Sequence, residues 1–392
     1  MSGTRLVAGN KLTLLKNGVE YFPQLCADIE AAKKSVYLEI YIFAADEAGR
    51  LIADALGRAA ARDVTVRVLL DGFGSAELPA HWVDEMRLAG IEVQWFRKKI
   101  SPLTLRRSRL RRLHRKLVAI DGKIAYVGGI NVTDDIPPRD ALSAPRLDYA
   151  VRVQGPLARE ISASVRHLWA MVSWANFRRR SRAVRLLRSL AKQHRVHSRI
   201  EFLQRDNLRH RREIERAYLR AIVGAQREII LANAYFLPGR IFRRALLQAA
   251  RRGVRVVLLL QGQVEYRLQH YATHSLYDRL LAGGIEIYEY QASYLHAKVA
   301  VVDGEWATVG SSNIDPYSLM LAREANLAVR DPEFAGELRA SLLGEIALGA
   351  RRVDPADWLR QGLWMRLLAR ASYSIVRLLT GLTGYWRGRD NV

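Results

Sequence analysis

The run His114-Arg-Lys-Leu-Val-Ala-Ile-Asp-Gly-Lys-Ile-Ala-Tyr-Val-Gly-Gly-Ile-Asn131 has a second copy in His296-Ala-Lys-Val-Ala-Val-Val-Asp-Gly-Glu-Trp-Ala-Thr-Val-Gly-Ser-Ser-Asn313. Both fit His-x-Lys-x4-Asp-x6-Gly-[Gly/Ser]-x-Asn with the same spacing. Each copy predicts a β-hairpin, because two apolar, strand-forming runs flank Asp121-Gly122 or Asp303-Gly304, a strong turn signal. Side chains alternate along a strand, so His114 and Lys116 share a face. A two-residue turn pairs Ile120 with Lys123. It sets Lys116 opposite Val127 and His114 opposite Gly129, with Asn131 one step further on the same face. The same count sets His296 opposite Ser311, beside Asn313.

An imidazole, an ammonium and a carboxamide around one small space suit a phosphate. Lysine brings charge, asparagine donates to non-bridging oxygens, and histidine serves as nucleophile or proton carrier near neutral pH. One copy is half of such a device. A lone histidine in an apolar strand reads as a hydrogen-bonded core residue, whereas two in a repeated frame read as catalytic. Asp121 and Asp303 fall at the far end of the hairpin, where turn formation and a local ion pair account for them.

The duplication extends beyond the motifs. Val36–Phe43 resembles Ile229–Phe236, Val64–Gly72 resembles Val254–Gly262, and Ala89–Trp95 resembles Gly283–Glu289, with helical patterns between them. A closing strand follows each motif, and Asp148-Tyr-Ala-Val-Arg152 aligns with Asn326-Leu-Ala-Val-Arg330. This alternation predicts an α/β fold of two lobes, each a mixed β-sheet flanked by helices, related by a pseudo-twofold axis with the motifs at the interface. The divisions expected are an N-terminal lobe over 1–155, a basic inter-lobe segment over 156–212, a C-terminal lobe over 213–350 and a tail over 351–392. The basic stretch Arg97–Arg112 and the inter-lobe segment have no counterpart in the repeat. Nor does the tail, where Leu363, Trp364, Leu367, Leu368, Ile375, Val376, Leu378 and Leu379 recur at helical spacing. Arg366, Arg370, Ser374 and Arg377 form a stripe beside them, and Trp358, Trp364 and Trp386 flank the helix. Such a helix can lie in a bilayer interface or pack on the body of the protein.

Among 392 residues the net charge is +23, which implies nucleic acid or an anionic lipid surface as partner, unless it reflects a compositional habit for arginine. The single cysteine, Cys26, rules out an internal disulfide and fits a core helix. No metal-ligand spacing or glycine-rich nucleotide loop occurs, so neither metal nor ATP is expected. The N-terminus lacks the apolar region of a signal peptide, and no stretch has the length of a charge-free membrane span. The protein is expected in the cytoplasm or on a membrane face reached from it.

The paired motifs resemble the phospholipase D superfamily. The runs Ala232–Gly239, His114–Asp121, Trp306–Asp315 and Glu324–Asn326, with Gly9–Leu12 and Asn17-Gly18, resemble bacterial cardiolipin synthases, in particular the B type without N-terminal membrane spans. The resemblance covers roughly residues 9 to 350. It implies two phospholipase D-like lobes with the active site between them, and no cofactor. It also implies peripheral attachment to the cytoplasmic face of the bacterial membrane. The implied reaction is phosphatidyl transfer to phosphatidylglycerol through a phosphatidyl-histidine, with phosphatidylglycerol or phosphatidylethanolamine as donor. His114, Lys116, Asp121, His296, Lys298 and Asp303 become the motif residues, with His114 as nucleophile and His296 as acid/base by analogy. Lys116, Asn131, Lys298 and Asn313 hold the phosphate. An acidic residue downstream of each motif, Asp148 and Glu324, orients that motif's histidine, although the repeat aligns Asp148 with Asn326.

Two other functions compete. A nuclease of the same superfamily would suit the charge, and a non-enzymatic binder of anionic surfaces would need only the basic segments. Intact duplicate motifs argue against the binder. The apolar residues among the basic segments, and the lack of an evident stacking platform, argue against nucleic acid.

Overall fold

The computed structural model describes residues 4–97, 111–136, 144–177, 199–206, 210–315, 322–359 and 363–382. Most of the basic stretch before the first motif, the arginine-rich run after Phe177, and Trp386 lie outside these residues.

The first lobe runs β1 (Thr4–Val7), β2 (Asn10–Lys16), α1 (Asn17–Glu30), β3 (Ser35–Ile40), α2 (Glu47–Ala61), β4 (Thr65–Asp71), α3 (Ala80–Leu88), β5 (Glu92–Phe96), β6 (Arg112–Leu113), β7 (Lys116–Ile120), β8 (Ile124–Gly128), β9 (Tyr149–Gln154) and α4 (Pro156–Phe177). The second runs β10 (Ile200–Arg205), α5 (Glu213–Gly224), β11 (Glu228–Asn233), α6 (Arg240–Arg251), β12 (Arg255–Gln261), α7 (Arg267–His274), α8 (Tyr277–Ala282), β13 (Glu286–Tyr290), β14 (Lys298–Val302), β15 (Trp306–Gly310), β16 (Ala322–Arg330), α9 (Pro332–Gly349) and β17 (Ala350–Arg352). Two helices follow, α10 (Pro355–Leu359) and α11 (Leu363–Leu382).

The sheets have orders β1-β2-β9-β8-β7-β3-β4-β5 and β10-β16-β15-β14-β11-β12-β13-β17, so seven adjacent strands correspond one to one. The pairs β3/β4, β4/β5, β11/β12 and β12/β13 are parallel, and the other pairs along each sheet are antiparallel. Both sheets are mixed, as the strand–helix alternation predicts. The central strands β3 and β11 are buried along nearly their whole length, which explains their continuous apolar runs. One core cluster joins the inner faces of both sheets with α4 and α9. Separate clusters bind the outer faces to α1–α3 and to α5–α8. Asp46 and Asp331 cap α2 and α9 by accepting from Gly49 and Phe334 N–H.

The described ends of the inter-lobe segment belong to the lobes. Helix α4 joins the core of the first sheet, and β10 is an edge strand of the second. The second sheet also runs past residue 350, since β17 pairs with β13. Arg115, the residue between His114 and Lys116, forms a buried ion pair inside the first lobe and reaches from it to the second. Its guanidinium holds Glu39, with Nη2 2.9 Å from Oε1, and Nη1 donates to Ser164 and to Gln204 on β10.

The hairpins differ from the expected count by one residue. Asp121 and Gly122 both have positive φ, and Lys123 N–H closes the turn on Ile120 O at 2.9 Å. Yet the ladder opens with Ile120 opposite Ile124, so Lys123 is an extra, bulged residue. Glu305 does the same in the second copy, where Val302 lies opposite Trp306. Lys116 therefore faces Gly128, not Val127.

Candidate active site

Beyond each lysine the chain leaves its own hairpin and pairs with the other lobe. Strand β6 runs parallel to β16, and His114 N–H donates to Arg323 O at 3.0 Å. Leu295 bridges Leu147, and His296 N–H donates to Leu147 O at 2.8 Å. The histidines therefore do not sit opposite Gly129 and Ser311. Each lies against the closing strand of the other lobe.

This exchange crosses the carboxylates. His114 Nδ1 lies 3.0 and 3.1 Å from the two oxygens of Glu324, and His296 Nδ1 lies 2.6 Å from Asp148 Oδ2. Each acidic residue serves the histidine of the opposite motif, not the one it follows. Gly128 pairs with Ala150 and Gly310 with Asn326, so Asp148 and Glu324 are structural equivalents. The sequence alignment of Asp148 with Asn326 is two residues out of register. The small residues after each motif glycine make room for these carboxylates. A Cβ on Gly129 would lie 2.3 Å from Asp148 Oδ1, and Ser311 Oγ donates to Glu324 Oε2 at 2.6 Å. Since Nδ1 of both histidines is engaged, Nε2 is the nitrogen left for chemistry.

The lysines lie beneath the histidines. Lys116 Nζ donates to His114 O at 2.8 Å, and Lys298 Nζ donates to His296 O. Both are buried. Burial, reinforced by the Lys298 charge, lowers Lys116 to about 7. Burial lowers Lys298 to about 8, opposed by Asp148 and Glu324. Burial raises Asp148 to about 6 against the pull of Lys298. His114 is pushed down by burial, and His296 by burial and the Lys298 ammonium. These groups from both lobes act on one another, which makes them one electrostatic cluster. Tyr41 sets its ring edge-on to His114 at 4.6 Å between centroids and lies 5.2 Å from the Lys116 ammonium.

Asn131 and Asn313 are buried. Asn131 Oδ1 accepts from Ile42 N–H at 3.2 Å, while Asn313 Oδ1 has no partner among the described residues. Asp121 and Asp303 are far from the cluster, at the hairpin tips. Asp121 accepts from Lys33, Lys34 and Ser35 N–H at 2.7–2.8 Å, and Asp303 from Gln226, Arg227 and Glu228 N–H at 2.8–2.9 Å. These bonds hold both carboxyls below the ordinary aspartate value and pin each hairpin to the start of its neighbouring strand, β3 or β11.

Sequence reasoning missed Asp71 and Gln261, which end the matched strands β4 and β12. Asp71 accepts Leu113 N–H and Gln261 accepts Leu295 N–H, both at 2.7 Å, fixing the residue before each histidine. Their matched place before Gly72 and Gly262 was the available signal. It also missed Arg146, whose charge acts on Asp148, His296 and Lys298 and which has no equivalent in the repeat.

Two histidines, each backed by a carboxylate and floored by a lysine, meet across one interface, an arrangement whose chemistry suits phosphoryl transfer. The sequence matches the family described as cardiolipin synthase, PLD-like domain, over residues 25–140 and 218–344. It is 37% identical to cardiolipin synthase B of Escherichia coli K12 over 96% of this chain and 90% of that one. It is 31% identical to cardiolipin synthase A of Escherichia fergusonii over 95% and 76% of the two chains. The fold recurs in phosphatidylserine synthase of Haemophilus influenzae, with a TM-score of 0.70, 15% identity and 95% of each chain covered. It recurs in polyphosphate kinase of Porphyromonas gingivalis, with a TM-score of 0.56, 17% identity, and 95% and 53% covered. The chain belongs to the cardiolipin synthase family of the phospholipase D superfamily and is a phosphatidyltransferase.

Proposed function

We propose that this enzyme makes cardiolipin by moving a phosphatidyl group onto phosphatidylglycerol. The crossed His–carboxylate pairs carry the reading, because they supply a nucleophile and a proton carrier on opposite sides of one phosphate site. His114 Nε2 attacks the donor phosphorus while the P–O bond to the headgroup breaks, and His296 Nε2 gives its proton to the departing oxygen. The phosphatidyl group then sits on His114. Neutral His296 takes the proton of an incoming hydroxyl, that oxygen attacks phosphorus, and the P–N bond breaks. Glu324 and Asp148 steady the imidazolium forms. Lys116, Lys298 and the amides of Asn131 and Asn313 hold the non-bridging oxygens. An anionic phosphodiester between the lysines opposes the field that holds His296 down, so substrate restores its proton. One phosphodiester is exchanged for another, and no nucleotide is required.

The same reading places the enzyme peripherally on the cytoplasmic face of the bacterial membrane. No described helix is long and apolar enough to cross a bilayer. Helix α11 docks Ala369, Ser372 and Val376 against the body, while Trp364, Leu367, Leu368, Ile375 and Leu378 form an exposed stripe. Arg370 is exposed beside that stripe. Arg240, Arg243, Arg244 and Arg279 line a neighbouring cleft, joined to α11 where Arg243 Nη1 donates to Tyr373 OH at 3.4 Å. A basic and apolar face of this kind fits an anionic lipid surface.

The test incubates pure protein with phosphatidylglycerol vesicles, with and without phosphatidylethanolamine, and analyses the lipids. Cardiolipin is expected. Its absence, together with cleavage of a DNA or RNA oligomer, would assign the site to nucleic acid.

A further inference from the structure

The repeat sets the same pair of helices side by side on the outer face of each lobe, α2 with α3 in the first and α6 with α8 in the second. The hydrogen bonds that end these helices fix which residues correspond. Val64 N–H donates to Ala59 O and Val254 N–H to Ala249 O, so counting back matches Arg50 with Arg240 and Asp54 with Arg244. Ala89 N–H donates to Glu85 O and Gly283 N–H to Arg279 O, which matches Glu85 with Arg279. The packing agrees, since Gly57 lies against Ala89 where Leu247 lies against Gly283.

The charges at these positions differ between the lobes. In the first, Arg50 Nη1 donates to Glu85 Oε2 at 2.9 Å, an ion pair that bridges the two helices. In the second, both partners are cationic, because Arg279 stands where Glu85 would be. Arg244 likewise replaces Asp54. Together with Arg240, Arg243 and Leu247 they line a cleft of about 230 Å³, space for several waters. None of the four arginines forms an ion pair among the described residues. The cleft starts at the N-terminus of α6, where Gly239 offers no side-chain cap. Like charges in one cleft repel, and the helix N-terminus adds positive potential, so the cleft favours an anion. Guanidinium groups and a helix N-terminus both suit phosphate.

Helix α11 points to the source of that phosphate. Tyr373, which accepts from Arg243, has its ring centroid 5.9 Å from the Arg377 guanidinium. At about 100° per residue, Tyr373, Arg377 and Arg370 follow one another round the helix, between its buried stripe and its exposed apolar one. The cleft therefore leads into a basic row and then to Leu367, Leu378, Trp364 and Ile375. A phospholipid matches that order, with its phosphate in the cleft and its chains in the bilayer. A soluble phosphate would use only the first half. We propose that the α6–α8 cleft is a second phospholipid site, outside the catalytic centre. It holds the phosphodiester of one anionic lipid and so seats α11 on the membrane. This deepens the membrane reading above and rests on it.

The experiment maps arginine modification by phenylglyoxal, peptide by peptide, in an H114A background so that no lipid is turned over. The probes are short-chain phosphatidylglycerol kept monomeric, short-chain phosphatidylcholine and inorganic phosphate. Phosphatidylglycerol should protect Arg240, Arg244 and Arg279 saturably, while Arg159 and Arg166, exposed on α4, stay reactive. The other two probes should need roughly tenfold higher concentrations or more, the scale of one charge-assisted hydrogen bond. R279E recreates the ion pair of the first lobe. It should raise the half-protecting concentration at Arg244 by about tenfold on the same scale, and unfold at the parental temperature. R244Q, read at Arg279, replaces it if that variant does not fold. R159Q/R166Q lowers the charge by the same amount as R279E and should leave protection unchanged. Absent protection, or equal protection by phosphatidylcholine or inorganic phosphate, would overturn the site. An equal loss in R159Q/R166Q would overturn it too, by reducing it to diffuse attraction. Sedimentation of the parent with phosphatidylglycerol vesicles checks the membrane reading separately. Vesicle binding with unprotected cleft arginines sinks the site alone, and no vesicle binding sinks the membrane reading.

Discussion

At the scale of single residues, the crossed carboxylates separate the two half-reactions. Glu324 holds His114, the proposed nucleophile, and Asp148 holds His296, the proposed proton carrier, so their amides should fail at different steps. With a p-nitrophenol donor, whose leaving group needs no proton, D148N should still accumulate phosphatidyl-enzyme and then stall. E324Q should form it slowly, with losses of roughly 10²–10⁴-fold for a mis-set histidine. Rapid quenching followed by mass measurement of His114 peptides separates the cases, and equal accumulation in both variants would contradict the assignment. The same groups set the pH profile. Asp148 near 6 means that its carboxylate, and the support it gives His296, is lost as pH falls through 6. Lys116 near 7 and Lys298 near 8 mean that the charge proposed to hold the phosphate is lost as pH rises through that range. kcat/KM measured from pH 5 to 9 should therefore be bell-shaped, with limbs near these values. A profile flat between pH 6 and 8 would rule out this electrostatic picture.

At the scale of elements, the hairpin was legible because its period-two pattern and Asp-Gly turn are local. Its register was not. Lys123 and Glu305 carry no mark that distinguishes a paired residue from a bulged one, and one extra residue moves every pairing outward from the turn. The closing strands failed in the same way. Matching Val-Arg endings aligned Asp148 with Asn326, whereas the ladders align Ala150 with Asn326. The carboxylate crossing was hidden for a different reason: it depends on chain exchange between lobes that no local pattern encodes. One consequence can be tested at Gly129. An added methyl there would strike Asp148, so G129A, although it lies in the first motif, should impair the histidine of the second. Displacing a histidine's partner carboxylate should cost about 10²-fold in turnover or more. Phosphatidyl-enzyme should accumulate as in D148N, and a G129A defect confined to its formation would refute the contact.

At the scale of the molecule, two lobes and an interfacial site followed from the repeat, because each copy alone holds half a phosphate site. The fate of the tail did not follow, since helical spacing of apolar residues fits a docked helix and a membrane helix equally. Helix α11 uses both faces: one stripe is buried against the body, and the other leaves Trp364 84% exposed. Deleting the helix would uncover the surface beneath Ala369, Ser372 and Val376, so truncation confounds membrane binding with stability. Substitutions on the exposed stripe avoid this. Leu368 and Ile375 lie about two turns apart on that stripe and are not in the core. Removing two such side chains from a bilayer interface should weaken partitioning by about 3 kcal/mol, on the order of 100-fold. L368S/I375S should therefore sediment poorly with phosphatidylglycerol vesicles while unfolding at the parental temperature and still turning over a short-chain, monomeric donor. Undiminished sedimentation would show that the exposed stripe of α11 is not the lipid-facing surface.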